Sequence, residues 1–170
     1  MTVDYKADIM LDLRKYLWAQ LKSNSIFTAT DYYSDNIGQE IIPIIPVQQS
    51  PEMNQFLSGK KHIVYDKIGL YYEENWAICC EQILFTIYST DVSEINEIRN
   101  LMTDLFRRMD ESARDANAYS GISKKFKFFS IFVADISPTA PSEELAGFLS
   151  AYVVLEVKYA RHVNTAGRFL

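Results

Sequence analysis

The side chains here best suited to binding a metal or acting as nucleophiles are two histidines and two cysteines. His62 and His162 are far apart in the sequence, and neither has a cysteine or second histidine at ligand spacing. Cys79 and Cys80 are adjacent in an apolar run, where a strand directs their side chains to opposite faces. A vicinal disulfide or metal pair is the alternative, but no second cluster completes a metal site. We therefore expect reduced core thiols, ordinary histidines, and no metal or cofactor.

Carboxylates could act as an acid–base pair where their environments differ. They cluster at Glu73–Glu74 and at Asp110–Asp115, and the second cluster adjoins arginines. The arginines favour a salt-bridged helix face. The few glycines are scattered, and no G-x-S-x-G, G-x-G-x-x-G or Walker pattern occurs. We predict that the chain is not an enzyme; the alternative is a small enzyme with an unrecognised acid–base site at Glu73, Glu74 or Glu81.

The composition indicates one domain spanning residues 1–170, because 48% of the residues are hydrophobic and no linker divides the chain. The net charge is −5 without a basic run, which argues against binding nucleic acid through its phosphates. No segment approaches the roughly 18 apolar residues of a membrane span, and the N-terminus lacks a signal-peptide pattern. We expect a cytoplasmic protein with no membrane partner.

Two amphipathic helices are predicted. The first spans Asp4–Lys22, with apolar residues at every fourth position: Ile9, Leu13, Leu17 and Leu21. The second starts after the D-x-x-E pattern at Asp91 and runs from about Val92 to about Tyr119. Its predicted buried stripe consists of Ile95, Ile98, Met102, Leu105, Met109, Ala113 and Ala116.

Three strands are predicted around these helices. Trp76–Ser89 is apolar on both alternating faces, which indicates a central strand. Phe126–Ile136 and Gly147–Arg161 should pair as an antiparallel hairpin with a long tip. The fold class is therefore α+β (mixed α/β), a mainly antiparallel sheet with two helices on one side and extended arms.

The region 24–75 is predicted to consist of arms and loops, because turn-forming residues alternate there with short apolar runs. Pro43 and Pro46 cannot donate ladder hydrogen bonds, so their segment suits a sheet edge or an arm lying on a partner. We expect Ile44 and Ile45 to be more buried in an assembly than in the single chain. Residues 162–170 are predicted to form a flexible C-terminal tail.

Several segments together resemble bacteriophage tail-terminator proteins, also called tail-completion or neck proteins. The first is Ile41–Glu52, followed by His62–Asp66. The resemblance extends through the strand Glu81–Ser89, the helical segments Asp104–Asp110 and Ser112–Asn117, and the last strand Ser150–Tyr159. It covers roughly residues 38 to 161 and consists of apolar and turn patterns.

The resemblance implies a subunit of a hexameric ring that caps the head-proximal end of a tail tube, ends tail polymerisation and joins the tail to the head. The implied partners are other copies of this chain, the tail tube protein, the head connector or neck protein, and the sheath protein if the tail is contractile. DNA would pass through the lumen without specific binding. The implied location is the virion, after assembly in the host cytoplasm. The alternative within this class is another head–tail joining protein, a stopper or an adaptor.

Two segments are candidates for contact with neighbouring subunits or the tube. The candidate residues are Ile42, Pro43, Ile44, Ile45, Pro46, Gln48 and Gln49 in the arm, and Pro138, Pro141, Glu143 and Glu144 in the hairpin tip. The tip, residues 138–145, is expected to project away from its own core and touch the tube or a neighbouring subunit. A mobile loop without a partner is the alternative.

Overall fold

A mostly antiparallel sheet forms the body of the protein in the computed structural model, which describes residues 7–72, 78–123 and 125–161. The described elements are α1 (Met10–Ser23), a 3-10 helix (Ala29–Tyr32), β1 (Tyr33–Ser34), β2 (Gln39–Glu40), β3 (Ile44–Pro46), α2 (Pro51–Phe56), β4 (His62–Tyr72), β5 (Ile78–Ser89), α3 (Val92–Leu105), α4 (Asp110–Ala118), β6 (Phe126–Ile136), β7 (Ala140–Pro141) and β8 (Leu149–Arg161). The strand order is β3-β4-β5-β8-β6, with β7 beside β8, and β1 and β2 form a separate pair. Among the described strands, β3 and β4 are the one pair in parallel. The predicted α+β class with a mainly antiparallel sheet is confirmed.

Strand β5 lies in the middle of the sheet, as its two apolar faces predict. One face is fully buried in the hydrophobic core, through Ile83, Phe85 and Ile87. On the other face Cys80 and Tyr88 are buried, while the residues between them are only half-buried. The predicted pairing of the last two long strands is also confirmed, because β6 and β8 are antiparallel. Trp76 and Ala77, the predicted start of β5, lie outside the described residues.

Helix α1 packs on this core through the predicted stripe. Ile9, Leu13, Leu17 and Leu21 are each at most 3% exposed. The helix begins at Met10, later than expected, and the Asp8 carboxylate accepts a hydrogen bond from the Met10 backbone N–H (2.8 Å). Residues 1–6, the rest of the predicted helix start, lie outside the described residues.

The predicted long second helix is wrong, because the chain turns at Phe106–Met109 and forms two helices, α3 and α4. Phe106 is buried in the core, while Met109 is 49% exposed with a φ of 45°. The turn redirects the chain so that α4 packs along β6. There the Asn117 side chain donates to the Phe128 carbonyl (2.8 Å) and accepts from the Phe128 N–H (2.9 Å). These two bonds provide partners for backbone groups on the outer edge of β6. With the short α2, the described residues contain four α-helices and not the two predicted.

The first part of the predicted arm region packs against its own subunit. The rings of Phe27 and Tyr32 lie 5.3 and 5.6 Å from the ring of Trp18 in α1. Strand β3 lies at the sheet edge, as its prolines predict. However, Ile44 and Ile45 are 0% and 2% exposed in the single chain. They cannot become appreciably more buried on assembly, so that expectation is wrong.

Strand β4 lies within the predicted arm region and has an outer edge that is only partly covered. Strand β3 pairs with β4 only at Ile63–Tyr65, and β4 continues to Tyr72. Within the described ranges, no strand lies beside the outer edge from Asp66 to Tyr71. This part of the strand exposes Ile68 and Leu70 by 51% and 55%. An open, apolar edge of this kind is a template for another chain.

Candidate interaction cleft

The arm and the hairpin tip, distant in the sequence, meet at one open cleft of about 520 Å³. Its walls come from four parts of the chain: Val47 and Gln49 after β3; Asn54, Leu57, Ser58 and Gly59 around the end of α2; His62, Val64 and Tyr88 on the sheet; and Glu144, Leu145, Ala146 and Phe148 before β8. His62, Val64 and Tyr88 alternate along their strands with core residues such as Ile63 and Ile87. The cleft therefore lies on the sheet face away from the helical core.

Local sequence signals position the two sides of the cleft. Ser50 caps α2, because its hydroxyl accepts the Met53 N–H (3.2 Å), and Pro51 occupies the first helical position. This start turns the chain away from β3 and places the end of α2 at the cleft. His62 and Tyr88 are directly opposed in the β4–β5 ladder, and their rings stack at 5.3 Å. The Phe148 ring meets His62 edge-on at 6.1 Å.

Several of the polar groups of the cleft are hydrogen-bond acceptors. His62 is 6% exposed, and burial lowers its pKa, which keeps the ring neutral at pH 7. Its Nδ1 lies 2.8 Å from the Lys60 carbonyl, a contact that requires Nδ1 to carry the proton and leaves Nε2 as an acceptor. The Tyr88 hydroxyl donates to Glu144 Oε2 (2.8 Å), and burial raises the pKa of Tyr88. The Gln49 Oε1 atom is buried without a hydrogen-bond partner.

Of the residues predicted for the arm, Gln49 lines the cleft, while Pro46 and Gln48 are exposed close to it in the chain. The others lie inward, with Ile42 half-buried and Pro43, Ile44 and Ile45 buried. Pro43, Ile44 and Ile45 are therefore core residues rather than contact residues. The physical reason is that the edge strand β3 packs its isoleucines into its own core, and Arg14 of α1 donates to the Ile44 carbonyl.

The tip does not project freely, contrary to expectation. Ala140 and Pro141 pair with β8, and Arg99 of α3 donates to the Ser137 carbonyl (2.9 Å). Glu144 is tied to Tyr88 and lines the cleft. The tip is thus folded back along its own subunit. Its four predicted residues all lie on the surface: Pro138, Pro141, Glu143 and Glu144.

Sequence reasoning did not select His62, Tyr88 or Phe148 for this site. The sequence predicts an ordinary histidine at position 62, and no linear pattern joins it to Tyr88. The one sequence feature that could have indicated these residues is their position on the less apolar face of adjacent strands. The contact depends on the β4–β5 register, which sequence alone does not fix here.

Of the three carboxylates of the enzyme alternative, the structure describes Glu81, which does not line the cleft. Glu73 and Glu74 lie outside the described residues. Glu81 is 5% exposed on the core-facing side of β5, where Lys67 Nζ lies 3.2 Å from its Oε1. The same ammonium contacts Asp8 Oδ2 at 2.6 Å, and Glu81 Oε2 has no hydrogen-bond partner. Burial raises the pKa of Glu81 despite the attraction of Lys67.

The remaining candidate groups are the two cysteines, the carboxylates of α4 and His162. Cys79 and Cys80 are both buried as free thiols. Glu111 forms an exposed ion pair with Arg108 at 3.0 Å, in agreement with a salt-bridged helix face. Across residues 7–72, 78–123 and 125–161, no three His, Cys, Asp or Glu side chains are grouped as metal ligands. His162 lies outside these ranges, as does the predicted tail, residues 162–170.

Glu81→Gln should change how stability depends on pH. Because the folded-state pKa of Glu81 is raised above its ordinary 4.5, Glu81 stabilises the fold at low pH, and this contribution is lost as the pH rises through the raised pKa. The free energy of unfolding of the wild type should therefore fall relative to that of Glu81→Gln as the pH increases. Urea unfolding of both proteins over a pH series measures this difference. Glu143→Gln, at an exposed position, is the control, and a pH-independent difference for Glu81→Gln would contradict the expectation.

Comparisons with known proteins do not assign a family. No protein-family model matches the chain, and no curated protein matches its sequence. In the part of the chain that the structure describes, no helix has the length and apolar character needed to cross a membrane.

Proposed function

We propose that this chain is the subunit of a homo-oligomeric ring, hexameric as the sequence resemblance implies, that caps the head-proximal end of a phage tail tube. The observation that carries the proposal is the convergence of the two predicted contact segments on one open cleft. Residues from the arm and the tip, Gln49 and Glu144, line the same 520 Å³ space. A single surface built from both segments is what a neighbouring subunit would require.

The two ends of the sheet support a ring in particular. A closed ring needs two different surfaces on each copy, so that every contact is head-to-tail. One end of the sheet carries β3 and the partly open edge of β4, while the other carries β6 backed by α4. The exposed Ile68 and Leu70 on the β4 edge are apolar surface that a neighbouring chain would remove from water. The two ends are unlike, which suits a head-to-tail contact.

In this role the partners are other copies of the chain, the tail tube protein and the head connector or neck protein, with the sheath protein added in a contractile tail. DNA would pass through the lumen. A net charge of −5 on each chain would weaken the hold of the ring on DNA wherever that charge faces the lumen. The ring would be part of the virion.

The solution mass tests the proposal. Light scattering of the purified protein should give six times the 19.6 kDa chain mass, either alone or once tail tubes are added. A chain that stays monomeric in both conditions would contradict the proposal. Electron microscopy of particles that lack the protein then separates terminator from stopper. Overlong or unjoined tails indicate a terminator, whereas heads that leak DNA indicate a stopper.

A further inference from the structure

The side chains that line the cleft indicate which chemical groups it would bind. Three acceptors line it: the neutral His62 ring nitrogen, the Glu144 carboxylate and the partnerless Gln49 Oε1. The buried Gln49 oxygen indicates most strongly that the cleft would bind a hydrogen-bond donor, because a buried acceptor without a donor costs free energy. A group that enters this cleft should therefore bring several N–H donors and a positive charge.

The rest of the cleft wall is apolar, with Leu57, Val64 and Phe148 on different sides. A strongly hydrated ion alone would gain little from such walls. A donor-rich cation on an aliphatic stem matches both parts of the lining, since the stem packs on the apolar wall while the head group meets the acceptors. Arginine fits best among side chains, because its guanidinium carries five donors in a planar fork.

The α3–α4 turn presents two such side chains. The Arg107 and Arg108 side chains are 57% and 62% exposed, and the adjacent Met109 is 49% exposed. Ile131 of β6 donates to the Met109 carbonyl (3.2 Å), which fixes the turn beside that strand. The turn is therefore held beside β6, whereas the cleft lies over β4 and β5 on the sheet face away from the helical core.

The ion pairs that Arg107 and Arg108 form within their own chain do not prevent these side chains from binding another copy instead. Arg107 lies 3.5 Å from Asp104, and Arg108 lies 3.0 Å from Glu111, both as exposed pairs three positions apart on the chain. Exposed ion pairs of this kind are weak. A charge-assisted contact in a partly enclosed cleft is stronger, because less water competes with it.

We propose that the cleft of one copy receives the Arg107–Arg108 turn of the next copy, with a guanidinium group placed between Glu144 and Gln49. The inference rests on the proposed ring and names the contact that joins its subunits. The turn beside β6 and the cleft over β4 and β5 are different surfaces of the chain, so the contact is head-to-tail and can close a ring.

Charge reversal on each side tests the contact. Glu144→Arg, or Arg107→Glu with Arg108→Glu, should raise the concentration needed for ring formation by about a hundredfold, because each change places like charges together. Combining all three reversals in one chain should restore the ring. Circular dichroism checks that each variant is folded, which is expected because the three positions are exposed. Glu143→Arg and Arg114→Glu are matched controls at exposed positions outside the proposed contact.

Mixing the two single-sided variants gives a sharper test. The Glu144→Arg chain keeps an intact turn, and the Arg107→Glu/Arg108→Glu chain keeps an intact cleft. In a head-to-tail contact the intact turn of the first chain enters the intact cleft of the second, and the reversed turn of the second meets the reversed cleft of the first. The mixture should therefore form a ring of alternating chains, as measured by light scattering, whereas neither variant alone should. A mixture that stays monomeric, or controls that lose the ring equally, would overturn the inference. If the wild type and both reversal variants form the ring equally well, this contact is overturned but the proposed function is not. If the wild-type chain stays monomeric even with tail tubes, the proposed function is overturned as well.

Discussion

Replacing Phe106 by alanine should lower the free energy of unfolding by about 3–5 kcal/mol. The side chain is 1% exposed, and its ring meets the Tyr16 ring of α1 edge-on at 6.2 Å. Truncation would leave a cavity between α1 and the α3–α4 turn and remove an aromatic contact. Urea unfolding followed by circular dichroism measures the change.

Two neighbouring substitutions provide the controls. Leu105 is only half-buried, so Leu105→Ala should cost clearly less than Phe106→Ala, and less than the 2–5 kcal/mol expected for full burial. Met109 is 49% exposed, so Met109→Ala should stay within about 0.5 kcal/mol of the wild type. A larger loss for Leu105→Ala than for Phe106→Ala would favour the continuous helix that the sequence pattern predicts.

The helix break between α3 and α4 could not be predicted from the sequence. Leu105 and Met109 continue the apolar spacing of α3, and no glycine or proline interrupts it. The turn depends instead on contacts between distant residues. Phe106 enters the core beside Tyr16, and Ile131 donates to the Met109 carbonyl. Such tertiary contacts override a local period, which indicates only that a helix is present.

Elements with a strong local pattern were predictable. The four-residue spacing of α1 correctly indicated its buried face, and the two apolar faces of β5 correctly indicated a central strand. The prolines of the arm correctly indicated an edge strand at β3. They could not indicate that Ile44 and Ile45 are core residues, because that burial depends on how the edge strand packs beneath the rest of the fold.

The candidate site was predictable only in its two surface segments. Proline-rich, polar segments favour exposed contact surfaces and so indicate Gln49 and Glu144 as contact residues, and both line the cleft. Their meeting depends on the strand order, which places the segment before β8 over β4 and β5. The base of the cleft at His62 and Tyr88 depends on strand register. Neither order nor register is encoded in a linear motif.

A buried carboxylate outside the cleft leads to the second large expected effect. Asp12 of α1 is 0% exposed and accepts two hydrogen bonds from Ser123, from the backbone N–H at 2.7 Å and from the hydroxyl at 3.0 Å. These bonds connect the helix to the segment between α4 and β6. Asp12→Ala would leave the Ser123 N–H without this acceptor and remove a charge-assisted pair. We expect a loss of about 2–4 kcal/mol in the free energy of unfolding, since bonds to charged groups contribute about 1.5–3 kcal/mol.

The contribution of each hydrogen bond can be separated by two further substitutions. Asp12→Asn keeps a side-chain oxygen for the Ser123 N–H, so it should cost less than Asp12→Ala. Ser123→Ala removes only the hydroxyl donor and should cost about 1 kcal/mol. In a double-mutant cycle, Asp12→Ala and Ser123→Ala should couple by at least about 0.5 kcal/mol, because one interaction is lost in both single variants. An Asp12→Ala protein as stable as the wild type would mean that water replaces the carboxylate as the partner of Ser123, and that this contact does not hold α1 in place.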